Sequence, residues 1–164
     1  MPMYYDWGQN GKVSSITTSG TANTETARVG MLTQSAKPSA NITGVFANAQ
    51  GSSAGGGFLA CATFTTAGAA GTGTSQTPNK KNPNQAASQV LTYTGTFTAG
   101  TGTRSDRITV GFAQTGGQGG WIAVTPDAAL VLFSGGGATG WGEFRDLANA
   151  ASQQFSYQIE WFEA

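Results

Sequence analysis

The segment Gln89-Val-Leu-Thr-Tyr-Thr-Gly-Thr-Phe-Thr98 alternates apolar and threonine side chains. Leu91, Tyr93 and Phe97 fall on one side of this alternation, and the threonines fall on the other. Successive side chains of a β-strand point to opposite faces of its sheet, whereas a helix needs apolar residues three or four positions apart. The segment therefore predicts a strand with one apolar face and one threonine face.

The next patterned segment along the chain has the same period. Residues 106–113 place an isoleucine, a valine and a phenylalanine at alternate positions. The residues between the two segments, 99–105, are rich in glycine and threonine, which is typical of turns. The sequence therefore predicts a β-hairpin made of 89–98 and 106–113.

The same alternation recurs along much of the chain. Residues 155–162 alternate Phe, Tyr, Ile and Trp with mainly polar residues. Terminal residues fray unless they are tied down, so this apolar face predicts that the segment is paired into a sheet. Further strands are predicted at 13–18, 28–33, 41–46, 58–64, 121–125 and 129–133, the last two flanking a turn at Pro126-Asp127.

One segment departs from the strand pattern. Residues 144–151 carry apolar side chains at roughly helical spacing, which predicts at most one short helix. Because strands otherwise dominate, the predicted fold class is all-β, a single antiparallel β-sandwich or jelly roll with long glycine-rich loops.

The length of 164 residues fits one domain. We predict that this domain spans 12–164 and follows an aromatic N-terminal arm at 1–11. Most connections in compact domains have about 4–6 residues, so the stretch 67–87 is predicted as a long loop that is functional, ordered by a partner, or flexible.

The composition predicts a folded domain without the usual catalytic groups. Charged residues make up 10% of the chain, the formal net charge is zero, and nine Phe, four Tyr and four Trp residues can supply much of a core. The chain has no histidine and one cysteine, Cys61. Histidine-based catalysis, cysteine-rich zinc sites and an internal disulfide are therefore excluded, and Cys61 is interpreted as a small buried residue.

Charge and hydropathy exclude several classes of partner. Eight basic residues balanced by eight acidic ones do not make the electropositive surface of a nucleic-acid binder. No apolar run approaches the roughly 20 residues of a membrane helix, and residues 1–7 lack the pattern of a secretion signal. We expect no nucleic-acid partner, no membrane partner and no cofactor, and we expect the chain to fold in the cytoplasm in which it is made.

The acidic residues offer one candidate for a catalytic pair. Glu143 and Asp146 are close in sequence, and glycosidases place two carboxylates across a sugar-binding cleft. A solvated turn or an ion pair with Arg145 is the interpretation we favour. We predict no catalytic residue and no metal site.

Aromatic residues supply the remaining candidate sites. Tyr4, Tyr5 and Trp7 are too many for a short arm to bury alone, so they either fold back on their own domain or contact another subunit or another protein. Trp121 and Trp141 lie beside glycine-rich loops, where they form either a platform for a sugar or anchors of the core and loops.

In size and composition the chain resembles the small Gly/Ala/Thr-rich β proteins of tailed-phage virions, in particular capsid decoration (cement) and head-fibre proteins. The resemblance rests on the single small domain, the aromatic arm, the lack of a signal pattern, and threonine-alternating strands such as Val90–Thr98. Low charge also favours a subunit whose edges and apolar patches are covered in an assembly.

The resemblance implies a non-enzymatic virion protein, most simply a capsid decoration protein that binds the outer capsid surface and stabilises the particle. Its implied partners are the major capsid protein and copies of itself, with a trimer as the favoured homo-oligomer. The alternative is a carbohydrate- or receptor-binding β-sandwich of a fibre or tail, whose ligand is a glycan. An ice-binding surface is a weaker alternative, because only 89–98 shows a regular threonine array.

Overall fold

Thirteen β-strands make up most of the part of the chain that the structure, a computed structural model, describes. The described residues are 2–7, 16–17, 25–33, 40–50, 56–69, 71–72, 74–94, 97–113, 119–123, 130–132, 141–148 and 154–163, and none of them is helical. The strands are β1 (Met3–Trp7), β2 (Ile16–Thr17), β3 (Glu25–Thr33), β4 (Ala40–Gln50), β5 (Gly56–Thr66), β6 (Thr74–Gln76), β7 (Asn79–Lys80), β8 (Val90–Thr94), β9 (Thr101–Ala113), β10 (Gly119–Ala123), β11 (Leu130–Leu132), β12 (Trp141–Ala148) and β13 (Gln154–Glu163).

The strands form two antiparallel sheets that pack together as a β-sandwich, which confirms the all-β prediction. Sheet 1 has the order β10-β4-β13-β1-β7, with β11 also paired to β4 and β2 to β13. Sheet 2 has the order β6-β8-β3-β12-β5-β9. The described parts of the two strands predicted on either side of Pro126-Asp127, β10 and β11, lie end to end along β4 and do not pair with each other.

The core lies between the sheets, and β13 supplies four of its large side chains. The alternate residues Phe155, Tyr157, Ile159 and Trp161 are all buried, so the predicted apolar face and the predicted pairing of this segment are confirmed. Tyr4 of β1 packs beside Trp161 with ring centroids 6.1 Å apart. Sheet 2 contributes Val29, Met31, Leu59, Cys61, Val90, Val110 and Phe144, which confirms Cys61 as a core residue.

The N-terminal aromatic segment is a strand inside sheet 1. Residues Met3–Trp7 pair with β13 on one side, and Tyr4 and Tyr5 pair with β7 on the other. Alternation sends Tyr4 and Asp6 into the core, where both are fully buried. The prediction of an arm at 1–11 therefore does not hold for residues 3–7, and residues 8–11 lie outside the described part.

The stretch predicted as a loop at 67–87 contains β6, at the edge of sheet 2, and β7, at the edge of sheet 1. Its last part, together with Ser88 and Gln89, forms a crossing segment (residues 77–89) between the sheets. The Met3 amide donates to Gln85 Oε1 at 3.2 Å, and the Lys81 amide donates to the Met3 carbonyl at 3.0 Å. The Tyr4 hydroxyl donates to the Ala86 carbonyl at 3.1 Å. These bonds tie the crossing segment to β1.

The hairpin predicted from 89–98 and 106–113 is wrong. β8 pairs with β3 and β6, and β9 pairs with β5, so three strands separate them in sheet 2. The connection does not turn back sharply, because Thr98 forms a bridge with Ala69 and β9 already begins at Thr101. The glycine and threonine residues of this connection lie in β9 and in the residues just before it, and they do not form a tight turn.

The helix predicted at 144–151 is a strand as far as the structure describes it, up to residue 148. β12 lies in the middle of sheet 2 and pairs with β3 and β5 on its two sides. Backbone pairing on both sides, together with burial of Phe144 and Asp146, outweighs the local helical spacing. Residues 149–151 lie outside the described part.

Two edge strands, β9 of sheet 2 and β10 of sheet 1, come close together at a pair of glycines. A Cβ on Gly120 would overlap the carbonyl oxygen of Gly111 and lie 2.9 Å from Val110 Cγ1. Backbone oxygen cannot move aside as a flexible side chain can. Gly120 therefore permits the close approach of the two sheets along this side of the sandwich.

We expect Gly120→Ala to lower the free energy of unfolding by about 1–3 kcal/mol, because the added methyl group forces the two edges apart. Gly111→Ala is the matched control, since its Cβ would meet Phe58 Cε1 at an ordinary 3.6 Å. Loss of the flexible glycine should leave that variant unchanged or up to about 1 kcal/mol more stable. Urea denaturation followed by circular dichroism measures both, and equal stabilities would contradict the close approach.

Candidate binding surface

Buried carboxylates in this structure hold the fold together. Among the described acidic residues, Asp6, Glu143 and Asp146 are fully buried and Glu163 is 5% exposed. Each of the four contacts a different partner group. A buried carboxylate needs hydrogen bonds or a cation to offset its lost hydration, and these partners supply them.

Glu143 and Asp146 cannot act as a catalytic pair. They are three positions apart on β12, so their side chains lie on opposite faces of sheet 2. Arg145 Nε contacts Glu143 Oε2 at 3.1 Å, which confirms the predicted ion pair, although Glu143 is buried and not on a solvated turn. Asp146 Oδ1 contacts Arg28 Nε at 2.6 Å. Burial raises the pKa of Asp146 above its ordinary value, and Arg28 opposes that rise.

Asp6 and Glu163 connect the two sheets. The Thr92 hydroxyl of β8 donates to Asp6 Oδ2 of β1 at 2.6 Å, inside the core. Burial raises the pKa of the Tyr157 phenol, and the nearby Asp6 carboxylate adds to that rise. Glu163 of β13 accepts hydrogen bonds from the start of β8. Among the described residues, no group of three or more acidic, histidine or cysteine side chains is arranged to hold a metal ion.

Trp141 lies in a small covered cluster on the outer face of sheet 2. It is 6% exposed, and its indole nitrogen donates to Glu143 Oε1 at 2.7 Å. Phe97 meets its ring edge-on with centroids 5.7 Å apart. A Cβ on Gly30 would lie 2.5 Å from the ring, and Gly68 is as close, so both glycines make room for it. Trp141 is therefore a loop anchor, and the prediction that it faces a ligand does not hold.

The three N-terminal aromatic residues do not form one surface. Tyr4 is 1% exposed and packs in the core, so its side chain contacts its own subunit and no partner. Tyr5 is half-buried and lies beside Glu160 and Asn79 in the register of sheet 1. The backbone of Trp7 pairs with Gln158. The fold-back interpretation therefore holds for Tyr4.

Among the candidate residues whose side chains the structure describes, Trp121 is the most exposed. It is 66% exposed on β10, at the outer face of sheet 1. Phe46 on β4 lies directly opposite it in register and stacks on it, with centroids 6.2 Å apart and planes 15° apart. Phe46 thus holds the indole plane in place while most of Trp121 remains free to contact a ligand.

A second exposed apolar pair lies on the opposite side of the sandwich. Phe58 of β5 is 53% exposed and Leu147 of β12 is 39% exposed, and the two are direct register partners on the outer face of sheet 2. Phe58 falls in the strand predicted at 58–64 and Leu147 in the helix predicted at 144–151, and neither is predicted to lie on a binding surface. Phe58 shares its parity with Ala60 and Ala62, which are buried, so no local signal marks it as exposed.

The described residues contain no helix that is long and apolar enough to cross a membrane. No protein-family model, no curated protein and no solved structure matches the chain.

Proposed function

We propose that this protein is a non-enzymatic structural subunit of a virion, a capsid decoration protein that binds the outer capsid surface and stabilises the particle. The observation that supports this role best is the exposed Phe58–Leu147 pair on the outer face of sheet 2. Exposed apolar side chains that adjoin one another can form part of a surface that a partner covers.

The small size of this pair favours attachment to a repetitive particle. Burying the exposed parts of Phe58 and Leu147 is worth about 2 kcal/mol together. Bringing two proteins together costs an estimated 4–15 kcal/mol or more, so this contact alone cannot hold a stable complex. Many copies bound to a regular array, or several subunits linked as a homo-oligomer, convert such weak contacts into firm attachment.

The sheet edges also favour association through a face. At one edge of sheet 1, β7 has two residues and is preceded by the buried Pro78, which cannot donate a backbone hydrogen bond. At another, Gly120 of β10 lies against β9. Short or covered edges discourage strand addition by another chain. A partner therefore binds more readily to an outer face of the sandwich than to its edges.

The direct test is to sediment a native lysate of the source cells through a density gradient and identify the proteins in each fraction by mass spectrometry. We expect this chain to sediment with megadalton particles at high copy number, together with a major capsid protein. Recovery of the chain near the top of the gradient as a small oligomer would contradict the proposal.

Attachment through sheet 2 can be tested with the double variant Phe58→Ser/Leu147→Ser added to particles that lack this chain. We expect its affinity for the particle to fall about 30-fold, which corresponds to the loss of about 2 kcal/mol. Trp121→Ser is the matched control, because it removes a more exposed aromatic side chain from the opposite face. Equal losses in the two variants, measured as bound copies per particle on gels, would argue against this face.

A further inference from the structure

The outer face of sheet 1 carries an aromatic and amide surface that capsid attachment does not use. Trp121, Phe46 and Gln158 lie side by side in register across three neighbouring strands, β10, β4 and β13. Asn48 lies two residues further along β4, on the same face, and is exposed. We call these four residues the indole platform.

We propose that the indole platform is a binding site for a neutral carbohydrate. The ring of Trp121 supplies the stacking surface. The aromatic face carries partial negative charge, and the C–H groups on the apolar face of a pyranose ring carry partial positive charge. Phe46 stacks on the indole with planes 15° apart, so the ring is already oriented before a ligand binds and little conformational entropy is lost.

The amides of the indole platform supply hydrogen bonds beside the stacking surface. Gln158 Nε2 donates to Glu160 Oε1 at 2.6 Å, which orients the amide and leaves its oxygen and second N–H for a ligand. The Asn48 side chain lies over Gly119, where a Cβ would overlap Asn48 Oδ1. Gly119 therefore makes room for this amide next to Trp121. Amide groups that both donate and accept suit the hydroxyl groups of a sugar.

The charges around the indole platform favour a neutral ligand. Glu160, the nearest acidic side chain in the register of the sheet, is paired with Lys81 Nζ at 2.6 Å. None of the four platform residues is basic, whereas a nucleic acid would need cationic side chains to neutralise its phosphates. A base could stack on Trp121, but its backbone would find no counter-charge on the platform itself. A neutral sugar matches both the aromatic ring and the amides.

The site and the proposed capsid contact lie on opposite outer faces of the sandwich. A subunit attached through Phe58 and Leu147 would present Trp121 away from the particle, towards whatever surface the particle meets. The carbohydrate site depends only on the geometry of sheet 1, so it stands or falls independently of the virion role.

The test is a glycan array probed with the purified chain, followed by titration calorimetry with the best neutral oligosaccharide. We expect the wild-type protein to retain at least one class of neutral glycan. Trp121→Ala should weaken that binding about 30-fold or more, as expected for a central aromatic contact. Gln158→Ala should weaken it less, and Phe58→Ser should leave it unchanged.

Circular dichroism and the melting temperature of Trp121→Ala show whether its fold is intact. Unchanged glycan affinity in that folded variant would overturn the proposal, as would an array on which the wild-type chain retains no neutral glycan. Retention of a nucleic acid or a protein in place of any sugar would also overturn it. If the chain sediments with particles but binds no glycan, this site is refuted and the virion role stands. If the chain binds a neutral glycan but does not sediment with particles, the site stands and the virion role is refuted.

Discussion

We expect Trp161→Ala to lower the free energy of unfolding by about 3–5 kcal/mol and Trp121→Ala to change it by less than about 1 kcal/mol. The two substitutions remove the same atoms from the same sheet. Trp161 is fully buried, packs beside Tyr4, and donates its indole N–H to Glu163 at 3.4 Å. Trp121 is 66% exposed and contacts Phe46 on the outer face.

The difference follows from what each side chain leaves behind. Removing a buried indole forfeits its transfer free energy and leaves a cavity that the surrounding core cannot fill. Domains of this size have total free energies of unfolding of about 5–15 kcal/mol. Trp161→Ala should therefore remove a large part of that free energy or prevent folding. Trp121 is largely in water in the folded state, so little burial is lost.

Urea denaturation followed by far-ultraviolet circular dichroism compares the two variants without relying on tryptophan fluorescence. If Trp161→Ala does not fold, Trp161→Phe provides a milder version and should still be clearly less stable than the wild-type protein. Similar losses in Trp161→Ala and Trp121→Ala would mean that Trp121 also packs in the interior, and the carbohydrate site would lose its basis.

The apolar face of β13 could be predicted because four of its five large apolar side chains share one parity and that parity faces the core, although the fifth, Phe162, is also buried. The same argument fails for β8, where Thr92 is fully buried and Leu91 is half-buried. Thr92 enters the core because its hydroxyl reaches Asp6, a partner 86 positions away. Sequence alternation identifies a strand, but only the opposing sheet decides which of its two faces is buried.

The strands of sheet 2 were predicted less well for a second reason, which is that both faces of this sheet carry apolar residues. Its inner face packs in the core, and its outer face carries the cluster around Trp141. The bridge between Ala69 and Thr98 lies next to this cluster. The order of the strands in the sheet also depends on residues distant in sequence. β8 and β9 follow each other along the chain, and yet three other strands lie between them in sheet 2. Neither property leaves a local pattern.

The two candidate tryptophans illustrate the same limit at the binding surface. Trp121 and Trp141 both follow glycines in the sequence, so local composition does not separate them. Trp141 is covered because Gly30 and Gly68 allow other parts of the chain to lie against its ring. Trp121 meets Phe46 alone among the described aromatic rings and stays exposed. Which of the two tryptophans is exposed therefore depends on residues that are distant in the sequence.

Glu163→Ala should lower the free energy of unfolding by about 3 kcal/mol or more, because Glu163 joins the end of β13 to the start of β8. Its carboxylate accepts hydrogen bonds from the Ser88 hydroxyl, from the Gln89 amide at 3.0 Å and from the Val90 amide at 3.3 Å. The Trp161 indole N–H is also directed at it. The Val90 amide also donates to Ser88 Oγ at 3.0 Å, and the Ser88 hydroxyl to the Val90 carbonyl at 2.7 Å. The cost therefore falls mainly on the Gln89 amide and the Trp161 indole N–H, at about 1–3 kcal/mol for each donor that stays buried.

Glu160→Ala is the control, since it removes an acid from the same strand but from the outer face. Glu160 pairs with the more exposed Lys81, and surface ion pairs of this kind contribute about 0–1 kcal/mol. We expect Glu160→Ala to be nearly as stable as the wild-type protein. Glu163→Gln should fall between the two alanine variants, because a glutamine oxygen can replace only part of the carboxylate's acceptor capacity.

Hydrogen exchange shows which backbone amides lose protection when Glu163 is replaced, as well as how much protection they lose. In the wild-type protein the Gln89 and Val90 amides should exchange slowly, because Glu163 accepts from both. In Glu163→Ala these two amides should exchange faster than those in the middle of β13, because the end of the crossing segment next to β8 separates from β13 before the sandwich unfolds. Uniform acceleration across both sheets would instead mean that Glu163 stabilises the whole fold without holding the crossing segment in particular.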